Sequence, residues 1–486
     1  MSDNIAVRMA PSPSGFLHVG AARTAIFNYL FARHHGGKFI IRVEDTDEKR
    51  SSEEMIQAIL EGLKWMNIDW DGEIHFQSKR FDVYREHALN LLNDDKAYYC
   101  YCTPDELNEK RQKAQKEKRT FLYDRKCRDL SDEDRAAMDA EGRRKVLRIK
   151  MPIEGEGSFD DVIAGTLKRD YRELDDWIIM RPDGRCTYNF CCVVDDHLMG
   201  ISHVIRGNDH ITNTFKQVVT YDALGWKRPV FAHIPLILGK DKSKISKRHG
   251  AVSVTEYRNQ GIFPETLFNF LSLLGWNPGD DREIMTRDEL IEAFRLERIS
   301  PRNAVFDPVK LEWMNSEYIR RMDDNELLDK ARWSLIEAGL TTRLSIESHW
   351  KWHLRVVQLL KERVKTLNDF PRMARYFYTD EFDYDEKGQK KHFFKEPDDS
   401  LDMLKRFRDE LSRVGDDFRQ DEIEAALRGL SEKMHIKPAL LIHPTRLAVT
   451  GMTGGPGLFE LMELLGKEKC LQRINRAIEY IQQKPD

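Results

Sequence analysis

Short apolar runs and one long helical pattern alternate over the first fifty residues. Residues 5–10 form an apolar run that ends at a Pro-x-Pro-x-Gly turn, and apolar side chains then recur at helical spacing from residue 18 to about residue 35. Gly36-Gly37 ends this helix, and residues 39–43 form a β-branched run that would lie parallel to the first strand. These elements predict a βαβ unit, the repeating element of a doubly wound parallel sheet.

The rest of the chain shows three further patterns. After a helical stretch at residues 52–66, the segment between about residues 98 and 181 combines three cysteines, a charged helical part and short strands at 146–151 and 165–169. Sheet-type runs resume at residues 188–195, 204–206 and 230–238, and from residue 255 the pattern is almost wholly helical. We therefore predict an α/β Rossmann-like domain with an α+β insertion, followed by an all-α region.

Composition narrows the class of protein. The 486 residues are 41% hydrophobic and 33% charged, which excludes a disordered or fibrous chain. The net charge of −4 argues against indiscriminate nucleic-acid binding, although the basic excess at residues 105–128 fits either a solvated helix face or a local RNA surface. Uncharged stretches are too short to cross a membrane, no signal-peptide pattern is visible, and the seven sparse cysteines favour a reducing cytoplasm.

The turn at residues 11–21 is the first candidate site. It lies where the first strand leads into the first helix, at the carboxyl end of the predicted sheet, where open α/β folds bind ligands. A helix N-terminus there offers free N–H groups to a phosphate. His18 could donate to a phosphate oxygen, and Gly20 would let an adenine ring approach the backbone. An ordinary capped loop is the alternative.

A lysine-rich loop at residues 239–248 is the second candidate. Lys244 and Lys247 flank a small hydroxyl residue and could neutralise charge that develops on a triphosphate during displacement at the α-phosphorus. A solvated loop would account for the same composition.

Three cysteines form the third candidate. Cys100, Cys102 and Cys127 could supply three thiolates to a tetrahedral zinc ion, with the carboxylate of Asp129 as fourth ligand; three reduced cysteines without metal are the alternative. The adjacent Cys191-Cys192 pair is predicted to pack in the core of a strand.

The first two candidates, with the segments around them, resemble a known family. The His-x-Gly turn and the Lys-x-Ser-Lys loop are similar to the HIGH and KMSKS signatures of class I aminoacyl-tRNA synthetases. The chain further resembles bacterial-type glutamyl-tRNA synthetases in RMAPSPSG (8–15), RVEDTD (42–47), TYNF (187–190), VVDDH (193–197), VIRG (204–207) and LLGW (273–276). The similarity extends over the whole chain to HPTR (443–446) and GPGLFE (455–460).

The resemblance implies a glutamate pocket formed by Arg8, Ser12, Glu44, Tyr188 and Arg206. Arg8 and Tyr188 would face the side-chain carboxylate, Glu44 and Ser12 the α-amino group, and Arg206 the α-carboxylate. This set suits a substrate with two carboxylates and one ammonium, because a planar guanidinium can bond a carboxylate bidentately.

The resemblance also assigns residues around the nucleotide and the tRNA. His18, Gly20, Lys244 and Lys247 would bind ATP and carry the catalysis, and Asp47 would lie near the 3′-terminal adenosine of the tRNA. Asp195 and Asp196 are assigned to positioning, since an already ionised carboxylate needs no general base.

Two positions depart from the family. Cys192 stands where some members carry Asn, and Asp129 replaces the His that ends the family's zinc motif, which makes Tyr123 a competing fourth ligand.

A glutamate–tRNA ligase is the activity that the resemblance implies. ATP, with Mg²⁺, would activate glutamate to glutamyl-adenylate, and the glutamyl group would pass to the 3′ end of tRNA(Glu). The family resemblance also implies a monomer, with no membrane partner and a cytoplasmic location.

The predicted domains follow the same resemblance. Residues 1–85 and 182–240 form the catalytic domain, 86–181 the acceptor-binding insertion with the zinc candidate, and 241–325 a stem-contact domain. Residues 326–385 and 386–486 form two helical anticodon-binding domains.

Three alternatives are weighed against this prediction. A glutaminyl-tRNA synthetase would carry a β-barrel anticodon module, whereas the tail here is helical. The short paralogue that glutamylates a modified tRNA base lacks the anticodon region. A non-catalytic RNA-binding protein built on a synthetase fold would have degenerate signatures, yet His18, Gly20, Lys244 and Lys247 are all present.

Overall fold

The computed structural model describes residues 5–13, 15–46, 52–245 and 253–483. The chain divides into two compact units: the first consists of Met1–Arg258 and Pro264–Asp307, the second of Asn259–Phe263 and Pro308–Asp486. The chain therefore crosses between the units three times. The short segment Asn259–Phe263 belongs to the second unit although segments of the first flank it on both sides.

A parallel sheet is the framework of the first unit. The strands β1 (Ala6–Met9), β2 (Lys38–Val43) and β3 (His75–Phe76) pair in parallel in that order. The strands β9 (His203–Gly207), β10 (Val230–Ile234) and β6 (Glu156–Asp161) also pair in parallel, with β7 (Gly165–Asp170) antiparallel at the outer edge. The backbone N–H of Ser202 donates to the carbonyl of Ala6 (2.9 Å), which joins β9 to β1. The predicted doubly wound parallel sheet is confirmed.

The first unit also contains α-helices, and the first of them packs against β1, β2 and β9. They are α1 (Val19–His34), α2 (Glu53–Trp65), α3 (Phe81–Asn93), α4 (Pro104–Lys116), α5 (Asp132–Ala140), α6 (Tyr188–Leu198), α7 (Ile211–Leu224), α8 (Val254–Asn259), α9 (Pro264–Ser272) and α10 (Arg287–Ala293). The predicted first helix corresponds to α1, which begins after His18 as N-cap and ends before Gly36, whose φ is +63°. A two-stranded pair, β11 (Ile237–Leu238) with β12 (Ala304–Val305), completes the unit.

Residues 188–195, predicted as a sheet-type run, are helical instead: they belong to α6. Every residue from Phe190 to Asp196 is buried, so the helix has no polar face there and the sequence lacks the helical period. Cys191 and Cys192 are buried in the core as expected, but on a helix and not on a strand.

The inserted segment contributes to two sheets. The strands β4 (Ala97–Cys100), β5 (Val146–Ile149) and β8 (Ile178–Met180) form a separate antiparallel sheet. The strands β6 and β7 lie in the same segment but extend the parallel sheet, because Asp161 of β6 pairs with Phe231 of β10. Part of the insertion therefore belongs to the parallel sheet of the first unit.

The second unit is helical, as predicted for the tail. Its helices are α11 (Pro308–Arg321), α12 (Asp324–Glu337), α13 (Arg343–Ser348), α14 (Trp350–Lys361), α15 (Asp369–Tyr378), α16 (Glu386–Gly388), α17 (Pro397–Ser412), α18 (Gln420–Lys433), α19 (Ala439–Thr450), α20 (Leu458–Leu465) and α21 (Lys467–Gln483). Phe263, from the crossing segment, packs in their common core. No helix in the described ranges is long and apolar enough to cross a membrane.

The crossing segment is fixed by backbone contacts within the second unit. The N–H of Phe263 donates to Asn315 Oδ1 (2.9 Å), and the N–H of Leu367 donates to the carbonyl of Gly261 (3.1 Å). Gly261 has φ of +78°, and a Cβ there would lie 2.9 Å from the backbone nitrogens of Leu367 and Asn368. Only glycine fits this approach.

Candidate active site

A cavity of about 920 Å³ opens at the carboxyl ends of the parallel strands, where ligands bind in such folds. The turn after β1, the start of α1, the end of β9 and the link from β10 to β11 form its walls. Eight of the predicted site residues line it: Arg8, Ser12, His18, Gly20, Glu44, Tyr188, Arg206 and Lys244. Asp47 and Lys247 lie outside the described residues.

Two buried arginines share one carboxylate behind this cavity. Arg8 donates from Nε and Nη2 to the two oxygens of Asp196 (2.9 and 3.2 Å), and Arg42 donates from Nη1 to Asp196 Oδ1 (2.6 Å). Burial alone would raise the pKa of Asp196, but Arg42 and Arg8 hold it at about 2. Asp196 therefore orients Arg8 and leaves its Nη1 as the donor for a ligand.

Asp195 faces a different set of partners. Its carboxylate accepts from Gln77 Nε2 (2.9 Å), Arg80 Nε (2.8 Å) and the hydroxyl of Tyr84 (2.8 Å). All four side chains belong to the first unit, and Asp195 is fully buried and does not line the cavity. These contacts hold α6, to which Asp195 belongs, against the neighbouring side chains.

Glu44 is the acidic group of the cavity wall. Its Oε1 accepts from Arg42 Nη2 (3.3 Å) and from the thiol of Cys192 (3.1 Å). Burial raises the pKa of Glu44 in spite of Arg42 and the thiol, which both favour its charged form. Cys192 itself does not line the cavity but lies behind Glu44, so its sulfur can act on a ligand only through that carboxylate.

Arg206 is the penultimate residue of β9 and is held by neutral acceptors. Its Nη2 donates to Thr214 Oγ1 (2.7 Å) and Gln217 Oε1 (2.6 Å) of α7, and its Nε donates to His233 Nε2 (3.3 Å). Its Nη1 is buried and has no hydrogen-bond partner among the described residues. A buried donor without a partner costs free energy, so a ligand oxygen at this position would stabilise the site.

Cationic side chains outnumber carboxylates among the described residues that line the cavity. The lining contains five cationic side chains (Arg8, Arg23, Arg181, Arg206 and Lys244) and two carboxylates (Glu44 and Asp209). This excess of positive charge favours anionic ligands.

A tyrosine and a histidine complete the pocket. The hydroxyl of Tyr188 lies 3.2 Å from Nδ1 of His210, and both residues line the cavity. Burial and the nearby charge of Arg206 lower the pKa of His210 to about 4, so its imidazole is neutral at neutral pH. Ser12 lies on the exposed turn that follows β1.

The start of α1 forms the other wall. Nδ1 of His18 accepts from the backbone N–H of Ala21 (3.2 Å), so the proton of the neutral ring is on Nε2, where it can be donated. Burial and Lys244 lower the pKa of His18, which favours this neutral form. A Cβ at Gly20 would lie 3.1 Å from the His18 ring. Glycine therefore leaves the ring in its position and keeps the backbone accessible to a ligand.

Lys244 is exposed on the loop opposite. Its Nζ lies 3.7 Å from Asp209 Oδ2, and the side chain is 66% exposed, so the pair leaves the ammonium free to move.

The cysteine cluster is assembled, but without Asp129. The sulfurs of Cys100, Cys102 and Cys127 lie within 4.8 Å of one another. The hydroxyl of Tyr123 lies 3.2 Å from Cys100 Sγ and 3.8 Å from Cys102 Sγ. Asp129 is exposed and its carboxylate lies outside the group, so the geometry favours Tyr123 over Asp129 as fourth ligand, and the assignment stays a prediction.

Several residues that line the cavity or support its walls were missed by sequence reasoning. Arg42 is two residues from Glu44, and this spacing places both on one side of an extended strand, a signal that could have been used. Arg23 lines the cavity from α1, and its Nη1 donates to the carbonyl of Leu274 (3.0 Å). His210 and His233 have no motif that would have singled them out.

Comparison with known proteins identifies the family of the chain. The family model described as tRNA synthetases class I (E and Q), catalytic domain, matches residues 4–313, and a model of an anticodon binding domain matches residues 320–478. A protein named glutamate–tRNA ligase 1 from Caldanaerobacter subterraneus subsp. tengcongensis is 47% identical over 484 residues, covering 99% of each chain. One named glutamate–tRNA ligase from Moorella thermoacetica is 44% identical over 489 residues, also covering 99% of each.

A solved structure supports the same relationship. The crystal structure of a glutamate tRNA ligase from Elizabethkingia meningosepticum, in complex with its amino acid, is similar with a TM-score of 0.90 at 32% identity, covering 98% of this chain and 100% of that one. The chain therefore belongs to the class I tRNA synthetase family of the E and Q type.

Proposed function

We propose that this chain is a glutamate–tRNA ligase. The observation that carries the proposal is the excess of cationic side chains in the lining of the cavity, together with the unpartnered buried Nη1 of Arg206. Glutamate has two carboxylates that would pair with these cations and one ammonium that would pair with Glu44. Relatives over the full length of the chain are named for the same activity.

In the proposed pocket, Arg206 binds the α-carboxylate, Arg8 and Tyr188 bind the side-chain carboxylate, and Glu44 and Ser12 bind the ammonium. The α-carboxylate oxygen attacks the α-phosphorus of ATP, a new P–O bond forms, and pyrophosphate leaves with the electrons of the broken bond. The 3′-terminal ribose hydroxyl of tRNA(Glu) then attacks the carbonyl carbon, and AMP leaves.

Catalysis in this proposal is positioning and charge stabilisation. His18 Nε2–H and the ammonium of Lys244 face the nucleotide, Gly20 admits the adenine, and Mg²⁺ accompanies the triphosphate. Lys247 is proposed as the second cation of the loop and Asp47 as a contact of the tRNA 3′ end.

A structural zinc ion is part of the proposal. Cys100, Cys102 and Cys127 would hold it, with the hydroxyl of Tyr123 in the fourth position, because three convergent sulfurs and one oxygen fit tetrahedral zinc. Such an ion would hold the inserted segment in its fold and take no part in the reaction.

The second unit is proposed to bind the anticodon, and the inserted segment the acceptor end. This follows the anticodon domain that matches residues 320–478. The proposed division at residues 85, 181, 240, 325 and 385 stays a prediction. We further propose that the protein works in the cytoplasm, where its substrates are found. We propose that it does so as a monomer.

Pyrophosphate exchange tests the function. Purified protein is incubated with ATP, labelled pyrophosphate and glutamate, with and without total tRNA, and glutamine replaces glutamate as the control. We expect exchange with glutamate only; its appearance solely with tRNA present would show that tRNA completes the active site. No exchange in either condition, from folded protein, would overturn the proposal in favour of a non-catalytic RNA-binding role.

A further inference from the structure

A chain of buried polar groups runs from the inserted segment to Arg206. Asp161 Oδ2 lies 2.6 Å from Nδ1 of His233, and Nε2 of His233 lies 2.9 Å from Thr214 Oγ1 and 3.3 Å from Nε of Arg206. All four residues are at least nine-tenths buried. The proposed mechanism gives no role to Asp161 or His233.

Strand pairing brings these residues together. Asp161 is the last residue of β6, and it pairs with Phe231 of β10. His233 follows two residues later on β10 and lies opposite Arg206 of β9. The chain of contacts therefore crosses three adjacent strands, from the inserted segment to the cavity.

The hydrogen positions follow from the contacts. The carboxylate of Asp161 can only accept, so Nδ1 of His233 carries the proton and Nε2 is an acceptor. Nε2 of His233 accepts from Nε of Arg206 (3.3 Å). The hydroxyl of Thr214 has one proton for two acceptors, Nε2 of His233 (2.9 Å) and the carbonyl of His210 (3.1 Å), and its oxygen accepts from Nη2 of Arg206. Burial lowers the pKa of His233, which keeps the ring neutral at neutral pH in spite of Asp161.

Arg206 differs from Arg8 and Arg42 because its hydrogen-bond partners carry no charge. Arg8 and Arg42 are each bonded directly to Asp196, which offsets their charge. Arg206 is bonded to a threonine, an amide and an imidazole, so it is oriented while its full charge stays available. The carboxylate of Asp161 contacts His233, whose imidazole lies between it and the Arg206 guanidinium.

We propose that Asp161 and His233 are positioning residues for the glutamate α-carboxylate: they fix the Arg206 guanidinium so that Nη1 faces the substrate, without neutralising it. This inference rests on the proposed function. It also means that the inserted segment takes part in the amino-acid site through the last residue of β6.

The test separates binding of the α-carboxylate from binding of the rest of glutamate. Steady-state aminoacylation with the full chain gives KM for glutamate and for ATP. L-glutamol, in which the α-carboxylate is reduced to a hydroxymethyl group, serves as a competitive inhibitor that keeps the side-chain carboxylate and the ammonium. His233→Leu should raise KM for glutamate about 10-fold or more, because Arg206 loses an acceptor, and leave KM for ATP and the inhibition constant of L-glutamol nearly unchanged.

Two further variants keep the test informative. His233→Gln offers an amide acceptor and should recover part of the loss, and Asp161→Asn should raise KM for glutamate by a smaller factor than His233→Leu. His203→Leu is the matched control: His203 is half-buried at the opposite end of β9, away from the cavity, and its loss should leave KM for glutamate unchanged.

The possible outcomes are distinct. Equal rises for glutamate and L-glutamol would show a general deformation and overturn the proposal, as would an unchanged KM for glutamate in His233→Leu. If His233→Leu fails to fold, the same comparison in Asp161→Asn and His233→Gln decides. Wild-type protein without glutamate-dependent activity would instead contradict the proposed function itself.

Discussion

Asp196 lies between two buried arginines and accepts hydrogen bonds from both. In Asp196→Asn, Arg8 and Arg42 would keep their charge in a buried site without the carboxylate that offsets it. We expect the free energy of unfolding of the first unit to fall by about 3–5 kcal/mol, and KM for glutamate to rise because Arg8 is no longer held. Urea unfolding and aminoacylation kinetics measure the two effects.

Asp222→Asn is the control for that variant. Asp222 pairs with Arg228 on the surface of the same unit, where both side chains are more than a third exposed. Loss of such a pair costs less than about 1 kcal/mol. Similar losses for the two variants would show that the buried arginine cluster adds little to stability.

The thiol of Cys192 is one of the groups that stabilise the charged form of Glu44. Its hydrogen bond favours the ionised carboxylate, whereas burial raises the pKa of Glu44. In the proposed pocket Glu44 must be ionised to bind the ammonium of glutamate, so we expect affinity to be present above the raised pKa and to be lost as pH falls through it. Cys192→Ala removes a contact that lowers this pKa, so the acid limb of kcat/KM for glutamate should move to higher pH.

Profiles of kcat/KM against pH for wild type and variant check this. Cys186→Ala removes another buried cysteine, one that has no contact with Glu44, and should leave the profile in place. An acid limb at the same pH in Cys192→Ala would mean that the thiol has no influence on Glu44.

The cysteine cluster, placed by β4 and the loops after it, yields a prediction about a metal ligand. We expect about one zinc ion per chain, bound tetrahedrally. Tyr123→Phe should lower the zinc content and the melting temperature, because the hydroxyl nearest the sulfurs is lost. Asp129→Ala should retain full zinc, since Asp129 is exposed and outside the cluster.

Elemental analysis after metal-replete expression, with Cys102→Ser as the variant that loses zinc, decides between the two ligands. Retention of zinc in Tyr123→Phe together with its loss in Asp129→Ala would restore Asp129 as the ligand. Zinc-free wild-type protein would remove the metal altogether.

Secondary structure was predictable where periodicity and turn residues agreed. The βαβ unit of β1, α1 and β2 follows from a helical period bounded by a Pro-rich turn and Gly36. Helix α6 was missed because it is buried along most of its length, and a continuous apolar run does not distinguish a buried helix from a strand.

The candidate site was predictable only where local motifs mark it. Eight predicted residues line one cavity because their motifs lie at the ends of parallel strands. Asp161 and His233 carry no motif, and 72 positions of chain separate them. Their contact depends on the pairing of β6 with β10, which sequence pattern does not specify.

Neither compact unit is one continuous stretch of the chain. A substitution in the crossing segment Asn259–Phe263 should therefore change the stability of the second unit. Phe263 is 2% exposed in the core of the second unit, although the chain on both sides of its five-residue segment, Asn259–Phe263, belongs to the first. Phe263→Ala should lower the stability of the second unit by about 3–5 kcal/mol. The transition of the first unit should change little.

Calorimetry, or denaturant unfolding with one probe in each unit, separates the two transitions. Phe306→Ala is the matched control: Phe306 is equally a buried phenylalanine, but it packs against Tyr257 and Phe270 in the first unit. Phe306→Ala should instead lower the stability of the first unit and leave the unfolding transition of the second unit in place. If Phe263→Ala weakened only the first transition, the assignment of the crossing segment would be wrong.

The crossing at Asn259–Phe263 also limits how such proteins can recombine. A chimera of two relatives with a single breakpoint near Pro308 would take Gly261 and Phe263 from one parent, but their partners Leu367 and Asn315 from the other. Where the parents differ at Phe263 or Asn315, the hybrid would lose a core contact or a hydrogen bond of the second unit. Exchange of the whole second unit therefore requires a further pair of breakpoints around Asn259–Phe263.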